Sequence, residues 1–266
     1  MLADLKILTI SLMIGTAIIA APAQPIAPAA RPLPKSPAQV AELVHQYEQA
    51  AGVAALKAIK TRSCQGSVER QPSGLTVGQA VTPFEGKVEL DWMAPGKARE
   101  VWSNAAARIR RISDGEHGWE VGTGETRREL TQAERVEVSR LGALYQPALV
   151  LPLDELAFMR RDKVGERSAI VLQTHGGELL WLDEETHLPL REDLLVEHDE
   201  ASRRGEFYLS QVFFDSWTPV GTSAVQLPRV IRRVLAQATL TYKLDNVQHD
   251  LELSTGLFKI PYFWRK

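Results

Sequence analysis

A single cysteine, Cys64, stands among 266 residues, so no disulfide can form within the chain and stability has to come from a packed core. Cys64 sits among Arg62, Ser63 and Gln65 in a stretch with strand character, where a small buried thiol is the expected role. An excess of either charge is also lacking: 31 basic against 33 acidic residues leave a net charge of −2, with the signs interspersed along the chain. That balance gives no electrostatic footprint for nucleic acid. Chemistry-bearing motifs are scarce, since no Gly-x-Ser-x-Gly elbow, Gly-rich phosphate loop or His-Glu-x-x-His is present. The histidines at 45, 117, 175, 187, 198 and 249 stand singly, without metal-ligand spacing. His175-Gly176-Gly177 reads as a turn between strands, and the acidic runs at Asp183-Glu184-Glu185 and Glu197 to Glu200 read as solvated turns or strand ends. Nothing in the pattern calls for a cofactor, a metal or catalysis.

Long hydrophobic runs are limited to one. Lys6 precedes a weakly polar to apolar stretch from Ile7 to Ala21, followed by the small-x-small triplet Ala21-Pro22-Ala23. The stretch is shorter than the roughly 20 residues of a spanning helix and reads as a signal peptide over residues 1–23, cleaved after Ala23. No cysteine follows at the new N-terminus, so acylation there is not expected. Residues 24–37, QPIAPAARPLPKSP, lack periodicity and read as an extended tether. The remainder, 38–266, reads as one domain.

What is present is alternation. In Phe84, Gly86, Val88, Leu90 and Trp92 one parity is apolar, while Glu85, Lys87, Glu89 and Asp91 fill the other, the signature of a half-buried antiparallel strand. Pro95-Gly96 then marks a turn. Ala238, Leu240, Tyr242 and Leu244 repeat the pattern near the C-terminus. Ser36 as N-cap and Pro37 at the first helical position predict a helix carrying Val40, Leu43, Val44 and Tyr47, interrupted near Gly52 and resumed through Leu56 and Ile59. Beyond it some ten or eleven short strands are expected, with a helical interruption from Thr131 to about Met159 that Pro147 and Pro152 divide. The predicted class is mainly β (α+β): a curled antiparallel sheet forming an unclosed barrel, covered by the N-terminal helix and a broken helical lid. The tryptophans Trp92, Trp102, Trp119, Trp181, Trp217 and Trp264 are spread over separate elements and could together wall a cavity.

The order of GKVELDWMAPGKAREV, ISDGEHGWEV, WLDEETHLPLREDLLVE, FYLSQVFF, LPRVIRR and YKLDNVQHDLELSTGLFKIP resembles the LolA-like outer-membrane lipoprotein-sorting proteins. The shared marks are a strand before a Pro-x-Lys/Arg turn, Asp-Gly before a tryptophan strand, an acidic turn before Leu-Pro, and Asn then Phe-x-x-Pro, over about residues 38–261. The resemblance implies a monomeric periplasmic carrier, without cofactor or catalysis, that holds acyl chains of lipids or lipoproteins in an apolar cavity and exchanges them with membrane donor and acceptor proteins. The cavity wall it implies comprises Val88, Leu90, Trp92, Val101, Ile109, Trp119, Leu144, Leu240, Tyr242 and Leu244. An envelope-stress sensor or assembly partner of the same fold is the alternative. The best-known relatives carry an arginine directly before the turn proline; here Ala94 precedes Pro95, the nearby basic groups are Lys97 and Arg99, and that role is not carried over. Extra sequence surrounds PSGLTVGQ and PVGTSAVQ.

Overall fold

The computed structural model describes residues 37–73, 81–151, 153–197, 207–221, 224–235 and 237–259. The signal peptide, the tether up to residue 36, the cap at Ser36 and most of the 197–200 acidic run lie outside the described residues. Thirteen strands form one antiparallel sheet. In chain order they are β1 (Thr61–Pro72), β2 (Phe84–Met93), β3 (Lys97–Ser103), β4 (Arg108–Ser113), β5 (Gly118–Val121), β6 (Arg127–Glu129), β7 (Ala157–Val164), β8 (Arg167–Gln173), β9 (Leu179–Asp183), β10 (Pro189–Glu197), β11 (Phe207–Pro219), β12 (Gln226–Val234) and β13 (Ala238–His249). Each strand pairs with its sequence neighbours, and β1 pairs with β13. One interruption remains, between β6 and β7, which form the two edges of the sheet. The barrel is therefore unclosed.

Two helical units lie against this sheet. The first is α1 (Pro37–Ala51) followed by α2 (Val53–Ala58). Gly52 separates them at φ 66°, a left-handed conformation that costs glycine little. The second comprises α3 (Gln132–Gly142) and α4 (Pro147–Val150), in the stretch of chain that runs from β6 to β7. A capping box starts α3: the Thr131 hydroxyl accepts the Glu134 N–H at 3.2 Å, and the Glu134 carboxylate accepts the Thr131 N–H at 3.0 Å. At its other end Gly142 lets the helix approach β3, because a Cβ there would sit 2.9 Å from the Ala98 methyl.

The alternating strands deliver the expected faces. Phe84, Val88, Leu90 and Trp92 of β2 join Cys64 and Val68 of β1 and Leu240, Tyr242 and Leu244 of β13 in one buried cluster. Burial pushes the Cys64 thiol up to about 12, so it is an inert core group. Across the β1–β13 seam a bulge falls between Gln65 and Gly66. Gly66 is required there: a Cβ would lie 1.9 Å from the Lys243 carbonyl oxygen. A second cluster joins Val40, Leu43, Tyr47, Ala51 and Val53 of the first helical unit to Ile170, Leu172, Leu180 and Leu182 of β8 and β9.

Two strands, β6 and β7, go beyond the ten or eleven expected, and β7 takes the end of the segment read as helical. Both are edges rich in charge, RRE and AFMRRDKV. Edge strands of this composition deter pairing with another chain and carry no clean apolar alternation. The acidic run at Asp183 does form a turn, but Asp183 itself is buried, accepting from Glu185 N–H, Thr186 N–H and the Thr186 hydroxyl and pairing with Arg167 at 2.8 Å. The Gly-Gly segment after His175 is the β8–β9 turn.

Candidate functional site

A cavity of about 640 Å³ lies between α3 and the sheet. Its size falls within the range of small-molecule sites, about 300–1,000 Å³. The sheet contributes Trp102 of β3, Leu194 and Val196 of β10, and Ala238 and Leu240 of β13, and α3 contributes Val136. Val136 is 47% exposed, an unusual state for a valine on a helix that faces a sheet. Among these apolar groups stand four arginines, Arg70, Arg111, Arg140 and Arg233, and two glutamates, Glu134 and Glu137.

The helix α3 is strapped over this cavity by ion pairs to three separate places. Glu134 receives Arg128 of β6 at 2.6 Å, Glu137 receives Arg233 of β12 at 2.6 Å, and Arg140 reaches Glu178, beside β9, at 2.7 Å. Arg233 also donates to the Ser210 hydroxyl at 3.0 Å. The Tyr145 hydroxyl donates to Glu137 as well. Leu144 and Tyr145 both occupy the left-handed region, at φ 54° and 49°, and both are fully buried. Such backbone costs on the order of 1–3 kcal/mol per residue and persists where surrounding packing dictates it.

Behind Trp102 lies a second polar group. Glu100 is buried and accepts from Trp102 Nε1 at 2.6 Å and from the Tyr242 hydroxyl at 3.0 Å, with Arg111 at 3.5 Å. Burial raises its carboxyl above the ordinary range, with Arg111 and the two hydrogen bonds opposing. Burial works to lower Arg111, but the Glu100 and Glu120 carboxylates outweigh it and hold the guanidinium charged. Glu192 on β10 is fully buried, and its carboxylate oxygens have no hydrogen-bond partner among the described residues. Burial, reinforced by Glu178, Glu137 and Asp193 against the pull of Arg140, pushes it up to about 8. Among the described residues no group of three or more His, Cys, Asp or Glu side chains could hold a metal ion.

The ten residues read from the sequence divide into three groups. Leu240 lines the cavity, and Trp92 lines a smaller one of about 430 Å³ on the other flank of α3. Val88, Leu90, Leu144, Tyr242 and Leu244 are buried in the core cluster, with Ile109 packed against it. Val101 and Trp119 stand on the opposite parity: their cross-strand partners are Glu89 and Ile112, whereas the inward residues of β3 and β4 are Trp102, Ile109 and Arg111. Most of the cavity wall was not anticipated. The signal for it is an arginine two positions after an inward aliphatic residue, which occurs as Val68/Arg70, Ile109/Arg111 and Ile231/Arg233. Period-2 geometry sends both members of each pair to the same face.

With the geometry established, comparison with known proteins places the fold. No family model matches the chain, and a search of curated proteins finds no match. Solved structures do match. A DUF1329 family protein from Desulfovibrio piger superposes with a TM-score of 0.52 at 13% identity, over 82% of this chain and 97% of that one. A domain assigned to outer membrane lipoprotein sorting, from Vibrio parahaemolyticus, gives 0.51 at 9% identity, over 81% and 97%. The LolA-like resemblance read in the sequence thus has its counterpart in the fold: a mainly β, unclosed antiparallel barrel with a few helices against it.

Proposed function

We propose that the protein is an exported carrier of the cell envelope that takes up acyl chains of lipids or lipoproteins without making or breaking bonds. The carrying observation is the gap between β6 and β7 together with α3, which covers a cavity floored by Trp102, Leu194, Val196 and Leu240. Burial of a chain there gains roughly 0.8 kcal/mol for each methylene taken from water, so an indole and aliphatic floor is sufficient. The resemblance to a domain assigned to lipoprotein sorting supports the same reading. The binding wall is assigned to the α3 cavity, which Leu240 lines and Val88, Leu90 and Tyr242 do not. Periplasmic location, the signal peptide and exchange with membrane donor and acceptor proteins belong to this proposal.

Native mass spectrometry of the exported protein, purified without detergent and incubated with phospholipid and acylated peptide, tests it. One bound amphiphile per chain, lost in Val136→Asp while circular dichroism stays unchanged, is the expected outcome. A mass that remains that of the bare chain throughout would reject the carrier reading and favour a role in binding another protein.

A further inference from the structure

The cavity mixes charge with apolar surface in an uneven way. Both of its carboxylates are engaged: Glu134 by Arg128 and the Thr131 N–H, Glu137 by Arg233 and Tyr145. Of its four arginines, Arg111 has Glu100 and Glu120, Arg140 has Glu178, and Arg233 has Glu137. Arg70 differs. Its Nε donates to the Thr82 carbonyl at 2.9 Å, and among the described residues it has no ion-pair partner. Its guanidinium stacks over Trp102 at 5.6 Å, and Arg111 lies 5.2 Å from the same ring. Two cations therefore share one indole at the point where the apolar floor begins. Burial and the neighbouring Arg111 act against the charge on Arg70, outweighing the pull of Glu120 and Tyr242, so an incoming anion relieves a repulsion as well as gaining a donor.

Resting on the carrier reading, we infer that the cavity selects amphiphiles with an anionic head, a phosphate, carboxylate or sulfate, which Arg70 holds while the acyl chain lies on Trp102, Leu194, Val196 and Leu240. An anion can engage Arg70 without breaking any ion pair of the α3 strap. A neutral head offers Arg70 nothing comparable, and a cationic head meets like charge. The chain and the head are thus recognised by adjacent parts of one wall, and selectivity lies in the head.

The test uses the full exported chain and three probes of equal acyl length: a lysophosphatidic acid, a lysophosphatidylcholine and a monoacylglycerol. Inorganic phosphate serves as the tail-less control. Binding is followed by tryptophan fluorescence and isothermal titration at low and at physiological salt. The expected preference for the lysophosphatidic acid over the monoacylglycerol is roughly 10- to 100-fold, from one charge-assisted contact, and it shrinks as salt rises. Arg70→Gln is expected to abolish that preference, weakening the lysophosphatidic acid far more than the monoacylglycerol, and Arg70→Lys to retain part of it. Equal binding of all three probes overturns the head selectivity and leaves the carrier reading standing. Failure of every acyl probe overturns both. Phosphate binding as tightly as the lysophosphatidic acid overturns the amphiphile assignment in favour of a plain anion site.

Discussion

Under α1, Val40, Leu43 and Tyr47 meet Leu172, Leu180 and Leu182, and the helix is sealed to the sheet by apolar contact. Across the approach of α3 to the sheet, the contacts of Glu134, Glu137 and Arg140 are instead with Arg128, Arg233 and Glu178, and a cavity remains between helix and sheet. Val138 and Leu141 of α3 are also buried in the main core cluster, so the two helical units differ in what is added to apolar packing, ion pairs and a cavity on the α3 side. Close-packed aliphatic groups cannot part without creating a void, which is costly in proportion to its volume. The more exposed pair, Arg128 with Glu134, can exchange its partner for water at modest net cost, whereas Arg233 with Glu137 is largely buried and costly to break. On the carrier reading, the α1 side holds the frame and the cavity beside α3 is where a guest would lie.

The largest effect should come from breaking the packed side. Leu172→Ala, at a fully buried site, is expected to cost about 2–5 kcal/mol in denaturant unfolding; a loss under about 1 kcal/mol would mean that the α1 side is not close-packed. An intermediate effect concerns Glu192, whose burial raises it to about 8 from an ordinary 4.5. Between those two values the folded chain keeps a proton that the unfolded chain releases, so stability falls as pH rises through the window and levels off above it. Glu192→Gln is expected to flatten that slope and to gain roughly 2–4 kcal/mol at pH 8 relative to the parent. Parallel pH profiles of parent and variant would show that Glu192 does not titrate there. The smallest effect on stability, within about 0.5 kcal/mol, is expected for Val136→Ser on the cavity side. The same substitution should weaken acyl-probe affinity several-fold, and unchanged affinity would remove α3 from the binding wall.

Much of this arrangement was legible before any coordinates. Alternation in β2 and β13 revealed both the strands and their buried parity, because a sheet with one covered face must repeat every second residue. The kink at Gly52 and the divided helical insertion were readable from glycine and proline chemistry. The edges β6 and β7 were not, since an edge that must repel other chains replaces apolar alternation with Arg127, Arg128, Arg160, Arg161 and Lys163. The cavity wall was hidden for a related reason. An arginine in a strand is ordinarily taken as solvated, although the two-residue spacing places Arg70, Arg111 and Arg233 on the face of Val68, Ile109 and Ile231, as the register confirms. Val101 and Trp119 were named by alternation and family likeness, yet their parity puts them on the other face of the sheet.

The β1–β13 seam also bears on how the chain reaches this state. Every other strand pair joins neighbours along the sequence and can form as a local hairpin, whereas the seam brings Arg62 against His249, 187 positions away. Loop-closure entropy is therefore concentrated in a single pairing, and two meanders, β1 to β6 and β7 to β13, can assemble before it. On that order of events the late step is the zipping of β1 onto β13 past the Gly66 bulge. A side chain at Gly66, confronted by the Lys243 carbonyl, would then slow folding at its last stage while leaving the early hairpins untouched.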